Sequence, residues 1–184
     1  VVIGQTMPAF FGGFSNDFQY GKWSLSFLLQ FVKQEAPTVE YGPLVSNFGS
    51  MSNKPAFMQD YWTAPGSNAA YPVPTASSTT SAYKAYRDLW RYSDAAWGDA
   101  SYLRLKNLSL GYDLSSVASR WHIHALSLYA QAQNLFTLTN YKGLDPEVSG
   151  FDRRYVYPIN PFGSVKPQAL PVLRTITLGF RMTL

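Results

Sequence analysis

Residues 174–184 alternate without a break: Ile176, Leu178, Phe180, Met182 and Leu184 fall on one face of an extended chain, Thr175, Thr177, Gly179, Arg181 and Thr183 on the other. Successive side chains of a strand point to opposite sides, so this is a strand with one oily side. A soluble sheet usually turns back after such a strand. An outer-membrane barrel instead closes on a last strand that is apolar outward and polar inward.

Composition narrows the choice. Of 184 residues, 16% are aromatic and only 14% charged, against about 25% charged in ordinary soluble domains. Although 46% are hydrophobic, no run approaches the ~20 apolar residues of a spanning helix, which excludes a helical membrane protein. Spanning strands need only ~9–11 alternating residues and remain possible. The absence of cysteine suits a chain that needs no disulfides, in any compartment. The net charge of +4 is scattered without a basic run and reads as surface and loop charge, so no nucleic-acid partner is expected. The opening Val1-Val-Ile-Gly4 has neither an initiator Met nor a signal-peptide core, so the chain is expected to begin within a longer protein.

Four further strands follow from periodicity. Over 9–20, Phe10, Phe14, Phe18 and Tyr20 share a face, interrupted by Asn16; after Gly21-Lys22, Trp23, Leu25, Phe27, Leu29 and Phe31 alternate with Ser24, Ser26, Leu28, Gln30 and Val32 over 23–33. Two strands and a two-residue connection make a hairpin. In 101–113 the alternation breaks phase: unbroken, it puts Arg104 and Lys106 on the same face as Leu108, Leu110 and Tyr112. In a bilayer each such charge costs roughly 2–4 kcal/mol near the midplane. One extra residue near Lys106–Asn107 returns Leu103, Leu105, Leu108 and Leu110 to one side, which predicts a β-bulge there. A strand over 122–136 sets Leu126, Leu128, Ala130 and Ala132 against Ser127, Tyr129, Gln131 and Gln133. The closing strand spans 172–184.

Short connections (21–22 and 114–121) alternate with long loops (34–100 and 137–171) rich in Pro, Gly, Ser and aromatics, the first with a short helix expected at 82–93. Transmembrane barrels have short periplasmic turns and long extracellular loops, which places the C-terminus in the periplasm. Five strands cannot close a lipid-facing barrel, and an open edge leaves backbone groups unpaired in hydrocarbon. The missing strands are expected upstream, outside this sequence.

Three segments carry a family resemblance: Pro8-Ala-Phe-Phe-Gly-Gly-Phe-Ser-Asn16, Tyr102-Leu-Arg-Leu-Lys-Asn-Leu-Ser-Leu-Gly-Tyr112 and Asn134-Leu-Phe-Thr-Leu-Thr-Asn-Tyr-Lys-Gly-Leu-Asp-Pro-Glu147. In type, order and spacing they resemble the C-terminal barrel segment of SusC/RagA-type TonB-dependent transporters of Bacteroidota outer membranes, over almost the whole chain but loosely at 50–95. The resemblance implies an all-β, antiparallel transmembrane barrel of 22 strands with an N-terminal plug, of which this chain supplies about five C-terminal strands and two extracellular loops. It also implies a SusD-like surface lipoprotein as a lid, glycans or peptides as cargo, energy from TonB-ExbB-ExbD through the missing N-terminal part, and pairing of two transporter–lipoprotein units. The chain departs from the pattern in ending on Leu184, where outer-membrane barrels commonly end in Phe.

Candidate chemistry is sparse. Asp145 and Glu147 flank Pro146 as a carboxylate pair, or as a loop turn that fixes the chain. His122 and His124, two apart in the expected strand, share a face and offer two metal ligands or interfacial side chains. No Ser/His/Asp set, phosphate-binding Gly loop or cysteine nucleophile is present, so neither an enzyme nor a cofactor is expected. Tyr20, Trp23, Tyr112 and Trp121 fall at strand ends on the short-turn side, where an aromatic girdle meets the membrane surface; core packing of a soluble sheet is the other use. Loop aromatics Tyr61, Trp62, Tyr71, Tyr83, Tyr86, Trp90, Tyr92, Trp97 and Tyr141 are candidates for stacking on substrate or packing against the lid lipoprotein, or else for packing within the loops. The rival functions are a soluble all-β carbohydrate-binding module and a SusC-like barrel that is a passive component of a larger surface assembly.

Overall fold

The computed structural model describes residues 4–5, 7–38, 56–85, 93–94, 97–147 and 171–183. They divide into two units, one drawn from 8–34, 101–140 and 171–184, the other from 1–7, 35–100 and 141–170.

The first unit is an antiparallel sheet. Its strands are β1 (Phe10–Tyr20) and β2 (Trp23–Lys33), then β5 (Tyr102–Asp113), β6 (Ala125–Gln133), the short β7 (Thr137–Thr139) and β8 (Thr175–Thr183), with β3 (Glu35–Pro37) and β4 (Trp97–Asp99) belonging to the other unit. The order is β1-β2-β5-β6-β8, with β7 beside β5. Every strand except β7 therefore neighbours the one before it within the sheet, as in an up-and-down barrel wall.

The β1–β2 hairpin pairs Tyr20 with Trp23 and Phe10 with Lys33 without interruption. Its turn works because Gly21 takes φ +56, a left-handed value glycine adopts without a Cβ penalty. Between β2 and β5 the register runs Leu28↔Asn107 and then Leu29↔Leu105, so Lys106 is the inserted residue. The bulge lies where the phase break of the sequence predicts it, and pairing through 104–109 is not regular. The far side of β5 is irregular at the same height. There β6 ends at Gln133, opposite Asn107, and β7 resumes at Thr137, opposite Arg104. Asn134 takes φ 51, its N–H donates to the Lys106 carbonyl (3.0 Å), and that of Leu135 to the Leu105 carbonyl (3.1 Å).

Two lengths differ from expectation. The strand expected over 122–136 occupies only Ala125–Gln133, because left-handed residues bound it: His122 at φ 59 and Asn134 at φ 51. His122 closes a one-turn helix α2 (Ser115–Ala118) and a 3-10 turn (Ser119–Trp121), so His122 and His124 precede β6 and do not share a strand face. The closing strand starts at Thr175 rather than 172.

In the second unit, β3 (Glu35–Pro37) pairs with β4 (Trp97–Asp99) and forms a stem. The region 34–100 is therefore not all loop. It also holds a 3-10 turn (Ala56–Gln59) and a helical turn α1 (Ser81–Lys84) capped by Thr80, whose hydroxyl accepts from the Tyr83 N–H. The helix expected at 82–93 is seen only in that first turn, residues 86–92 lying outside the described set. Likewise Thr137–Thr139 is strand, not loop, and 148–170 lies outside the description.

Candidate functional site

The register sorts the sheet into two chemically opposite faces. One carries Phe10, Phe14, Phe18 and Tyr20 from β1, Trp23, Leu25, Phe27, Leu29 and Phe31 from β2, and Leu103, Leu105, Leu108, Leu110 and Tyr112 from β5. It continues with Leu128, Ala130 and Ala132 from β6 and Ile176, Leu178, Phe180 and Met182 from β8. The bulge keeps this set together: with Lys106 inserted, the leucines on both sides of it stay on one face. Leu178 is 76% exposed and Phe180 66%. Monomeric soluble proteins rarely expose contiguous apolar surface beyond a few hundred Å².

Aromatic rings fit the gaps in this face. Phe31 covers Gly12, where an added Cβ would approach the ring to 2.5 Å, and Phe27 lies between Phe14 (centroids 5.8 Å apart) and Phe18 (6.2 Å). At the short-turn end Tyr20, Trp23 and Tyr112 form one cross-strand row, Trp23 and Tyr112 with centroids 4.5 Å apart. Tyr20 is 87% exposed, and Trp121, in the 3-10 turn of the β5–β6 connection, is exposed as well. Three of the four expected girdle aromatics thus occupy one row. The same end is tied across strands by Lys22, whose Nζ donates to Ser116 Oγ. In the connection itself the Ser115 N–H donates to Asp113 Oδ1 (2.8 Å).

The opposite face is polar. Gln19, Ser24, Ser109, Ser127, Gln131 and Arg181 line a concavity of about 470 Å³ with Tyr129, which lies over Gly179 of the neighbouring strand. Arg104 is only 2% exposed. Its Nε donates to Thr137 Oγ1 (2.7 Å) and its guanidinium sits 5.5 Å from the Tyr102 ring centre, so the buried charge is hydrogen-bonded, as burial demands. Thr137 was missed from the sequence; the Thr-Leu-Thr alternation at 137–139 was the available signal.

The loop aromatics take different places. Residues 60–71 form a closed loop in which the Trp62 N–H donates to the Tyr71 carbonyl (2.8 Å) and that of Tyr71 to the Asp60 carbonyl (3.1 Å). Tyr71 is buried, while Tyr61 and Trp62 are each exposed. Tyr83 is half-buried in α1. Trp97 packs over Gly4. Tyr141, 8% exposed, clusters with Ala36 and Ala100, and burial pushes its phenol up to about 12. Tyr86, Trp90 and Tyr92 lie outside the described residues. Asp145 Oδ1 accepts from the Glu147 N–H (2.9 Å), the geometry of an Asx turn that fixes the loop.

No protein-family model matches the chain. It is 31% identical over 182 residues to TonB-dependent receptor P3 of Formosa agariphila, covering 98% of this chain and 17% of that receptor. To TonB-dependent receptor SusC of Bacteroides thetaiotaomicron it is 29% identical over 171 residues, 91% of this chain and 15% of that one. The chain belongs to the SusC/RagA family of TonB-dependent receptors. Solved structures agree on the fold: the RagAB peptide importer in its closed-closed state superposes with a TM-score of 0.67 over 98% of this chain (24% identity), and the RagAB peptide transporter with 0.59 over 81% (27% identity). These matches cover 18% and 16% of those chains. The two faces are therefore those of a section of outer-membrane β-barrel wall.

Proposed function

We propose that this chain forms part of the barrel wall and two extracellular loops of an energised outer-membrane importer for glycans or peptides, acting with a SusD-like lipoprotein that lids the outer face. The observation that carries the reading is the two-faced register, apolar across all five long strands and held in phase by the Lys106 bulge. Relatives named as TonB-dependent receptors, and a neighbour named as a peptide transporter, support the transport role. Energy comes from TonB-ExbB-ExbD acting on a part of the protein outside this sequence, and two transporter–lipoprotein units pair.

In this reading the Gly21-Lys22 turn, the 114–124 connection and the C-terminus face the periplasm, with Tyr20, Trp23, Tyr112 and Trp121 at the inner membrane surface. The loops face outward. Tyr61 and Trp62 are the strongest candidates for contact with substrate or lid because both are exposed. Tyr83, Tyr86 and Trp90 extend that set, while Trp97 and Tyr141 serve it by holding the stem.

Uptake of labelled oligopeptides and oligosaccharides by cells expressing the full-length protein tests the proposal. Uptake abolished by a protonophore and by loss of TonB is expected; energy-independent retention at the surface would favour a passive assembly component. Cysteine accessibility tests the orientation: Ser78→Cys labels in intact cells and Lys22→Cys only after permeabilisation.

A further inference from the structure

We infer that the polar face of this wall carries a transit site for acidic sugars, where a uronate ring lies on Tyr129 and its carboxylate is held by Arg181. The inference rests on the import reading above and assigns the cargo a charge.

One cross-strand row builds the site. The register aligns Gln19, Ser24, Gly111, Tyr129 and Gly179, so two positions of this row have no side chain. Neighbours close over both: an added Cβ would collide with Ser24 Oγ at Gly111 and with the Tyr129 ring at Gly179. The ring is therefore laid along β8, and the wall is hollowed between Ser24 and Tyr129. That hollow is the concavity of about 470 Å³, within the roughly 300–1,000 Å³ range of small-molecule sites.

The next row towards the short-turn end supplies charge. It aligns Asp113, Ser127 and Arg181, and Lys22 lines the same concavity. Lys22 and Asp113 are already engaged, the first donating to Ser116 Oγ and the second accepting from the Ser115 N–H. Arg181 has no hydrogen-bond or ion-pair partner among the described residues. Its guanidinium fork fits a carboxylate through two parallel N–H···O bonds. Arg181 lies two residues beyond Gly179 on the same face of β8, about 7 Å along the strand.

This combination selects a sugar acid. A pyranose has a flat C–H face that stacks on an aromatic ring, and a uronate carries its carboxylate at the ring edge, towards the arginine. Ser24, Ser109, Ser127 and Gln131 both donate and accept, as sugar hydroxyls do. A peptide main chain finds no equivalent, because β5 and β6 under the hollow are paired on both sides and offer no sheet edge.

Uptake by cells expressing the full-length protein tests this. The probes are fluorescent tetrasaccharides of galacturonate, glucuronate and mannuronate, each beside its carboxyl-reduced form, and a tetraglutamate peptide. At least one uronate is expected to enter roughly tenfold faster than its reduced form. Arg181→Gln is expected to remove that preference and leave uptake of the reduced form unchanged. Ser127→Asp sets a competing carboxylate beside Arg181 with the same expected result, and carries the test if Arg181→Gln does not reach the membrane. Gly179→Ala, which pushes Tyr129 off β8, should slow the uronate and its reduced form alike. No preference for any uronate, or a preference that survives both charge variants, overturns the inference. So does tetraglutamate uptake with the same Arg181 dependence, since the site then serves peptides. Arg181→Gln protein that conducts ions in sugar-free planar bilayers, where wild type does not, also overturns it, because Arg181 then holds another part of its own chain. Uptake of any probe that a protonophore abolishes keeps the import reading whatever happens to the uronate preference; no such uptake of any probe sinks both.

Discussion

Leu108 and Asn107 are neighbours in sequence and opposites in setting, and the difference is measurable. Leu108 lies at mid-strand on the apolar face and Asn107 on the polar one. Leu108→Arg is expected to cost about 2–4 kcal/mol and Asn107→Arg less than about 1 kcal/mol, read from urea unfolding of the protein in lipid vesicles. Tyr141 makes a separate residue-scale case. Its phenol is raised from 10.0 to about 12 by burial, so the folded state disfavours the phenolate. The stabilisation is complete below pH 10 and is lost as the pH rises towards 12. In an ultraviolet tyrosinate titration, Tyr141→Phe is expected to lose the latest-titrating component, and its stability should fall less steeply over that window. An unchanged titration curve would contradict the burial.

At the scale of elements, register is the quantity to perturb. Deleting Lys106 brings Leu105 next to Asn107 and restores plain alternation, so every side chain of β5 keeps its face. The loss is chiefly the carbonyl that accepts from Asn134, about 1 kcal/mol. Deleting Ser109 instead turns Leu110 and Tyr112 to the polar side, since a one-residue slip exchanges the faces beyond it. The first variant is expected to reach the outer membrane and migrate as a folded, heat-modifiable species; the second is not. Gly21→Val in the β1–β2 turn should cost about 1–2 kcal/mol from its left-handed backbone alone, since open space surrounds the position. The bulge was legible because Arg104 and Lys106 broke a pattern that the bilayer enforces. Less legible were the ends of β6. His122 and Asn134 leave strand geometry by backbone rotation, which shows in the sequence only as a polar residue, His124 or Asn134, at the next apolar position of the Leu126–Ala132 series. The stem at 35–37 and 97–99 escaped as well, because three residues carry too little periodicity to stand out.

For the whole molecule, the apolar face makes detergent dependence the governing expectation: the intact protein should aggregate on detergent removal and return to a single species in phospholipid nanodiscs, by size-exclusion chromatography. The loop aromatics were recognisable as a class, but their roles were not. Tyr61 and Tyr141 look alike in sequence, and only the closed loop at 60–71 and the Ala36–Ala100 cluster separate an exposed ring from a buried one. The stem of β3 and β4 has a consequence for change over evolutionary time. It joins the chain on both sides of the excursion that begins after Pro37 and returns at Trp97, and lengthening a closed loop costs only about 0.6 kcal/mol per doubling. Insertions and exchanges beyond the stem are therefore nearly neutral for assembly of the wall. A lineage can replace its recognition surface wholesale, as one changes the bit in a chuck, without renegotiating the register that lets the protein reside in a membrane.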